Sequence, residues 1–432
     1  MVRNKNSKTG HIFIILTIAF LAASSLFSDV FDNQGRIRRL THSGNNSVHF
    51  PCLSDDGHWM LYVQETSTGE DITKSLRIMN VDTGEETELF EDGKWAAPEP
   101  YEGLALHLGT KPPMLSGNGQ RAVIVLSLDQ PENILDHYLA VLNTDGTGSK
   151  IFSFPIEALQ GKDWEALDFA GNEWERISHY AVNSDGSRVA CVMKGHLGPI
   201  RYGNAGAIIF VDTETGEQKT VLAPDFNGLQ WDWTSHPSQP LLGGGWAFGM
   251  NGSGDRILFG AQSSDDKLDY DLYLSDWEGT RVTKITDFKD RWFSLAELSQ
   301  DGTKVVFFYT GKKKQGIGTY MIDSEGAELV YLKSSLSPKV DYYDISGNGK
   351  YILYKYIYDG ILLDCETGEG RVAFDQNTPG YVSGLVPMDI PKFPAFWGPR
   401  IMSLDAQRIL ISGIPEGKQD PEIFLLSFDA ER

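Results

Sequence analysis

Four residues of this chain, His49, His179, Arg201 and Tyr202, have the side chains that acid–base chemistry on a sugar acid would use. A histidine or tyrosine can take a proton from carbon, and an arginine or a divalent cation beside a uronate carboxylate would make that proton easier to remove. Read this way, they are the catalytic set of a lyase or hydrolase acting on an acidic glycan. A second group has side chains that bind rather than react. Lys111, His236 and Asp341 offer polar contacts, and Trp231, Trp233 and Trp246 offer flat rings for stacking on sugars. Each also has a plainer assignment. His49 and His179 suit structural positions near inner strands, and loop tryptophans commonly pack a linker onto its scaffold.

These residues lie far apart in the chain, and only a repeated element can bring them together. A short turn returns seven times. Its cleanest copy is Ser299-Gln300-Asp301-Gly302, followed by the β-rich run Val305-Val306-Phe307-Phe308-Tyr309; glycine suits the turn and the run reads as a strand. Other copies begin at Ser54, Ser116, Asn183, Asn251 and Ser346, and a worn copy, Ser403-Leu404-Asp405-Ala406, lacks the glycine. Five positions before each turn is the upper end of an inner strand: His49, Lys111, Ser178, Trp246, Ser294, Asp341 and Gly398, with His179 adjacent. Units of this kind bury a face only against their neighbours.

A second turn follows each first one. Strands lead into Asp82-Thr83-Gly84, Asp212-Thr213-Glu214-Thr215-Gly216 and Asp364-Cys365-Glu366-Thr367-Gly368, with variants at Asp145-Gly146, Asp276 and Asp323. A Ser-x-Asp-Gly turn, a strand, a strand ending in Asp-x-x-Gly and then a polar strand resembles the TolB-like repeat of bacterial envelope propellers. The likeness spans almost the whole chain beyond residue 28. It implies an all-β fold, a seven-bladed β-propeller of four-stranded antiparallel blades. It leaves activity open, because that repeat occurs in binding proteins, in peptidase accessory domains and in some polysaccharide lyases.

Arg36 to Thr41 look like the polar last strand of a unit with no unit before it, while the unit ending at Glu422–Phe428 lacks its fourth strand. Pairing the two closes the ring, the N-terminal strand completing the last blade. Residues 29–432 then form a single propeller. Long linkers fall at about 91–112, 154–178, 223–246 and 375–399. In a propeller these emerge on one face and the two kinds of turn on the other. The insertion-rich face, with Trp95, Trp231, Trp233 and Trp246 in or beside its linkers, is the expected binding surface.

Residues 1–28 read as a secretory signal: Arg3, Lys5 and Lys8 precede the apolar run Ile12–Ala23, which is short for a spanning helix. A retained anchor is the other reading. The expected location is the periplasm or the outside of the cell. A formal net charge of -21 argues against a nucleic-acid backbone or an anionic membrane as partner. The expected partner is an envelope protein or a polysaccharide, bound by a monomer without a cofactor; a divalent cation enters only under the enzyme reading. Three cysteines give no disulfide framework, and Cys52 and Cys191 are expected as buried thiols. The acidic run Asp265–Asp271 lacks the glycine and terminal glutamate of a calcium loop and reads as a solvated loop. No metal site, nucleophile elbow or phosphate-binding loop appears.

Overall fold

The turn that organises the chain is held by its own side chains. Ser54 Oγ accepts the Trp59 amide at 3.0 Å and donates to Asp56 Oδ1 at 2.6 Å, while that oxygen accepts the His58 amide. The same bonds recur from Ser116, Ser299, Ser346 and Ser403, and in blades three and four Asn183 and Asn251 supply the acceptor instead. Local side-chain bonds of this kind favour a turn over continued ladder pairing. The fourth residue must adopt positive φ, which glycine does without steric penalty; Ala406 adopts it too, at φ 59°.

The computed structural model describes residues 36–42, 46–68, 71–96, 104–109, 111–128, 137–154, 177–196, 204–222, 248–262, 270–287, 291–311, 318–326, 329–332, 343–356, 359–375, 377–378, 401–413 and 422–428. Among them there are strands and turns but no helix. They form seven antiparallel blades around an axis. Blade one comprises Ser47–Leu53, Trp59–Thr68, Asp71–Asn80 and Glu86–Glu91 from the inside outwards. Blades three to six repeat this order, beginning with Ile177–Val182, Phe248–Met250, Arg291–Leu298 and Tyr343–Ile345.

Blade seven closes the ring as the sequence suggests. Arg36–Arg39 pairs with Glu422–Ser427, which pairs with Arg408–Gly413. Among the described residues its innermost segment pairs through one bridge, Met402 to Ile409. Blade two differs in the other direction. Residues 91–112, expected as a loop excursion, contribute two extra strands, Trp95–Ala96 and Ala105–Leu108, the latter pairing with Arg121–Leu128 beside the short inner strand Met114–Leu115. Trp95 packs at 5.0 Å from Phe90 in the apolar layer between blades one and two.

Apolar layers fill the interfaces between neighbouring blades, the two on either side of blade seven merging into one cluster, and two rings of contacts tie the blades together. In the first, backbone amides of the turns bond round the circle: Asp55 to Gly117, Asn118 to Ser184, Ser184 to Gly252, Gly252 to Gln300, Asp301 to Gly347, Asn348 to Leu404 and Leu404 back to Asp55, at 2.6–3.3 Å. In the second, the first residue of the second strand in blades one to five and in blade seven reaches the next turn. Arg121, Arg188, Arg256 and Arg408 donate to the carbonyls of Gly186, Gly254, Gly302 and Gly57 at 3.0–3.2 Å. Trp59 and Lys304 pack on Gly119 and Gly349 in the same way.

Cys52, Cys191 and Cys365 are free and buried. Burial pushes the Cys191 thiol up and the Cys365 thiol up to about 12, so both are unreactive as thiolates. The acidic run behaves differently from a solvated loop at its end. Asp271 lies in the strand Tyr270–Asp276 and is fully buried, accepting the Thr286 hydroxyl at 2.9 Å and pairing with Lys284 Nζ at 2.9 Å. Residues 1–28 lie outside the described residues.

Candidate functional site

The central channel is closed at the turn face. The second residues of the seven turns, Asp55, Gly117, Ser184, Gly252, Gln300, Gly347 and Leu404, converge on the axis. Ser184 Oγ lies 2.8 Å from Asp55 Oδ2 and 2.9 Å from Gln300 Oε1, contacts that skip a blade and so cross the centre. The intervening glycines leave the necessary room. A Cβ on Gly117 would fall 1.9 Å from Asp55 Oδ2, and one on Gly347 would fall 2.2 Å from Leu404 Cδ1. Four side chains from blades one, three, five and seven therefore fill the floor, and ligand access to the axis comes from the insertion side.

Blades one, three and five also carry the long inner strands, and all three strands are bulged. The register shifts between His49 and Cys52, between Ile177 and His179, and between Ser294 and Ala296. A bulge turns the strand and re-aims its side chains, and bulges are common beside functional sites. In blade one the irregularity includes Phe50 at φ 52°, a strained value for an aromatic residue.

Of the residues singled out in the sequence, His49, His179 and Lys111 are described. His49 Nε2 is 3.4 Å from Glu65 Oε2, and Glu65 Oε1 is 3.3 Å from Lys74 Nζ. This makes a His–Glu–Lys chain within blade one, although the imidazole nitrogen makes no hydrogen bond. The segments that carry His179 and Lys111 come together at the seam between blades two and three. The hydroxyl of Tyr180, next to His179, donates to the carbonyl of Pro112, next to Lys111, and lies 3.2 Å from the Val123 carbonyl. Burial pushes the Tyr180 hydroxyl far up, so it is a fixed neutral donor rather than a proton carrier. Lys111 sits three residues before the short inner strand rather than at its end. Arg201, Tyr202, Trp231, Trp233, His236, Trp246 and Asp341 lie outside the described residues.

Glu297 and Asp344 are two channel-side acids that the sequence reading did not single out. They occupy the position two before the turn in blades five and six, where the other blades carry Cys52, Met114, Ala181, Gly249 and Ile401. Each carboxylate accepts backbone amides of the next blade. Glu297 Oε2 takes the Ile345 amide at 3.2 Å, and Asp344 Oδ2 takes those of Ile401 and Met402 at 2.9 and 3.0 Å. Asp344 thereby supports the inner segment of blade seven at Ile401 and Met402. Burial pushes both carboxyls up, Asp344 to about 7, and the nearby Asp344 charge raises Glu297 further. Neither is in an ion pair among the described residues, so nothing offsets the burial that favours the protonated form of each.

Among the described residues no three His, Cys, Asp or Glu side chains converge as metal ligands. The described part of the channel thus offers a carboxyl pair near its floor, with His179 and Lys111 on one seam and His49 on another.

No protein-family model matches the chain, and no curated protein matches it in sequence. Solved structures do resemble it. An oligogalacturonate lyase in complex with manganese is 14% identical with a TM-score of 0.56, covering 92% of this chain and 94% of that one. The oligogalacturonate lyase of Vibrio parahaemolyticus gives the same figures. The acylaminoacyl peptidase of Pyrococcus horikoshii is 12% identical with a TM-score of 0.54, and this chain spans about half of its length, 52%. At these identities the likeness is one of fold. The fold and the closed floor define a seven-bladed β-propeller with a one-ended channel.

Proposed function

We propose that this protein is an exported, TolB-like propeller of the bacterial envelope that binds a protein or glycan partner on its insertion-rich face, without catalysis. The observation that carries this reading is the filled floor at the turn face, where the Asp55, Ser184 and Gln300 side chains meet across the axis. A ligand using the axis must approach between the linkers, where Trp231, Trp233, His236, Trp246, Lys111 and Asp341 would supply stacking and polar contacts. The basic and then apolar N-terminus supports export to the periplasm or beyond.

A second reading, a lyase or hydrolase on an acidic glycan, is supported by the Tyr180 bond to Pro112, which brings the segments of His179 and Lys111 to one seam. His179 would move the proton, with His49, Arg201 and Tyr202 as further participants, and Arg201 or a divalent cation would neutralise the substrate carboxylate. An oligogalacturonate lyase is among the proteins that share the fold. The carboxyl pair Glu297 and Asp344 weighs against a polyanion reaching the channel floor.

One experiment separates the two. The protein from about residue 29 is incubated with uronate-rich and neutral polysaccharides, with and without manganese, and both binding and unsaturated-product absorbance are followed. Saturable binding lost on Trp231→Ala or Trp233→Ala, with no absorbance change, is the expected result. Turnover that disappears in His179→Ala would replace the binding reading with the enzyme one.

A further inference from the structure

We propose that the seam where the ring closes holds an oxyanion-binding cleft, on the turn face and separate from the insertion-rich mouth. The cleft has a volume of about 340 Å³ and lies between the N-terminal strand of blade seven and the second turn of blade one. Arg38, Arg39 and His42 line one side, Glu86 the other, over an apolar floor of Met79 and Val81.

The charges in this cleft are not equivalent. Arg39 is spent on the buried carboxylate of Glu422, and its Nε donates to the Thr41 carbonyl. Glu86 is engaged by Arg77 at 3.4 Å and accepts a bond from the Tyr62 hydroxyl. Arg38 is different: its Nη2 donates to the Val81 carbonyl, a neutral partner, and no carboxylate pairs with it among the described residues. His42 is exposed at the same cleft. An unpaired guanidinium in a polar cleft is conspicuous on a chain of net charge -21, whose surface otherwise repels anions. Guanidinium N–H groups match the spacing of carboxylate and phosphate oxygens, and such bonds are charge-assisted. The apolar floor suits a ligand that carries its oxyanion on a short carbon body.

The position gives binding a consequence for the fold. One wall belongs to Arg36–Arg39, the strand that completes blade seven, and the other to blade one. The cleft exists only while the two walls are together, so an anion seated in it on Arg38 and His42 binds the closed ring better than the opened one and stabilises closure by mass action.

The test is thermal unfolding of the exported chain titrated with inorganic phosphate and, separately, with citrate, each against sodium chloride at matched ionic strength. The expected result is a saturable rise in Tm above the chloride control with at least one of the two, and their order tells phosphate from carboxylate recognition. In R38Q the half-saturating concentration should rise about tenfold, the loss of one charge-assisted contact. H42Q should weaken the response less, and R38K, which keeps the charge without the fork, should fall between R38Q and the unaltered chain. If R38Q does not fold, R38K and H42Q still decide the matter. A rise no larger than that with chloride, or variants that respond like the unaltered protein, would overturn the proposal.

Discussion

Asp344 and Glu297 are acids held where ionisation is costly, and this fixes the sign of their effect on stability. Both carboxyls titrate above their ordinary range, Asp344 at about 7, because burial disfavours the charge, and the Asp344 charge raises Glu297 further. A raised folded-state value means that the folded chain binds protons more tightly than the unfolded one. Their contribution is therefore fully present below the ordinary carboxylate range and is lost as pH rises from there through about 7. Asp344→Asn keeps an oxygen for the Ile401 and Met402 amides but cannot ionise. Urea unfolding at a series of pH values should show it more stable than the parent above neutrality and flatter between pH 4 and 8. An unchanged profile would place the titration elsewhere. This pair was not legible in the sequence. The two acids are 47 positions apart, and they become neighbours only once the register of two inner strands is known. His179 and Lys111 were legible as candidates because counting back from a turn needs no tertiary information. That their segments are joined through Tyr180 and Pro112 was not, since that bond depends on how blade three packs on blade two.

The repeated turn works between blades as much as within one, and its glycines separate the two roles. Gly146 and Gly186 have almost the same φ, 75° and 74°. A Cβ on Gly146 would meet nothing within 4 Å, whereas one on Gly186 would fall 2.6 Å from Arg121 Cδ and 2.8 Å from its Cβ. Gly146→Ala should then lose only about 1–2 kcal/mol for left-handed backbone. Gly186→Ala should lose about 1–3 kcal/mol more, because Arg121 is fixed near its backbone and cannot swing away. Denaturant midpoints of the two variants give the difference directly, and equal losses would mean that the contact of Arg121 with Gly186 is dispensable. The seven turns were readable from sequence because their bonds are local, from Ser or Asn to amides a few residues on. The arginine contacts left a signal too, a basic residue two places after the last turn residue in Arg121, Arg188, Arg256, Lys304 and Arg408. The short strands Trp95–Ala96 and Ala105–Leu108 left none, being too brief for alternation to register.

Closure makes the whole molecule depend on one seam, because the last blade borrows its outer strand from the other end of the chain. That strand is four residues long, and its clasp is a buried charge. Glu422, 1% exposed, accepts from the Arg39 guanidinium and, at 2.7 Å, from the Thr41 hydroxyl, which in turn accepts the Ile423 amide at 2.9 Å. Breaking a buried pair from one side leaves a desolvated charge, so Arg39→Ala should cost about 3–5 kcal/mol. Arg77→Ala, which removes a partner from the solvent-exposed Glu88 carboxylate, should cost about 1 kcal/mol or less. Replacing both clasp partners, Arg39→Met with Glu422→Leu, should recover much of the loss, because it is the orphaned carboxylate rather than the missing attraction that destabilises. Arg408, which joins Gly57 and Asp82 across the same seam, holds the turn end of the interface. The decisive comparison is cleavage of the native protein by a protease in Arg39→Ala and in the double variant. If the clasp governs closure, the single variant is cut fast near residues 36–42 while the rest of the ring follows in one cooperative transition, and the double variant resists. Equal resistance in both would show that the rings of turn and arginine contacts keep the propeller shut without it.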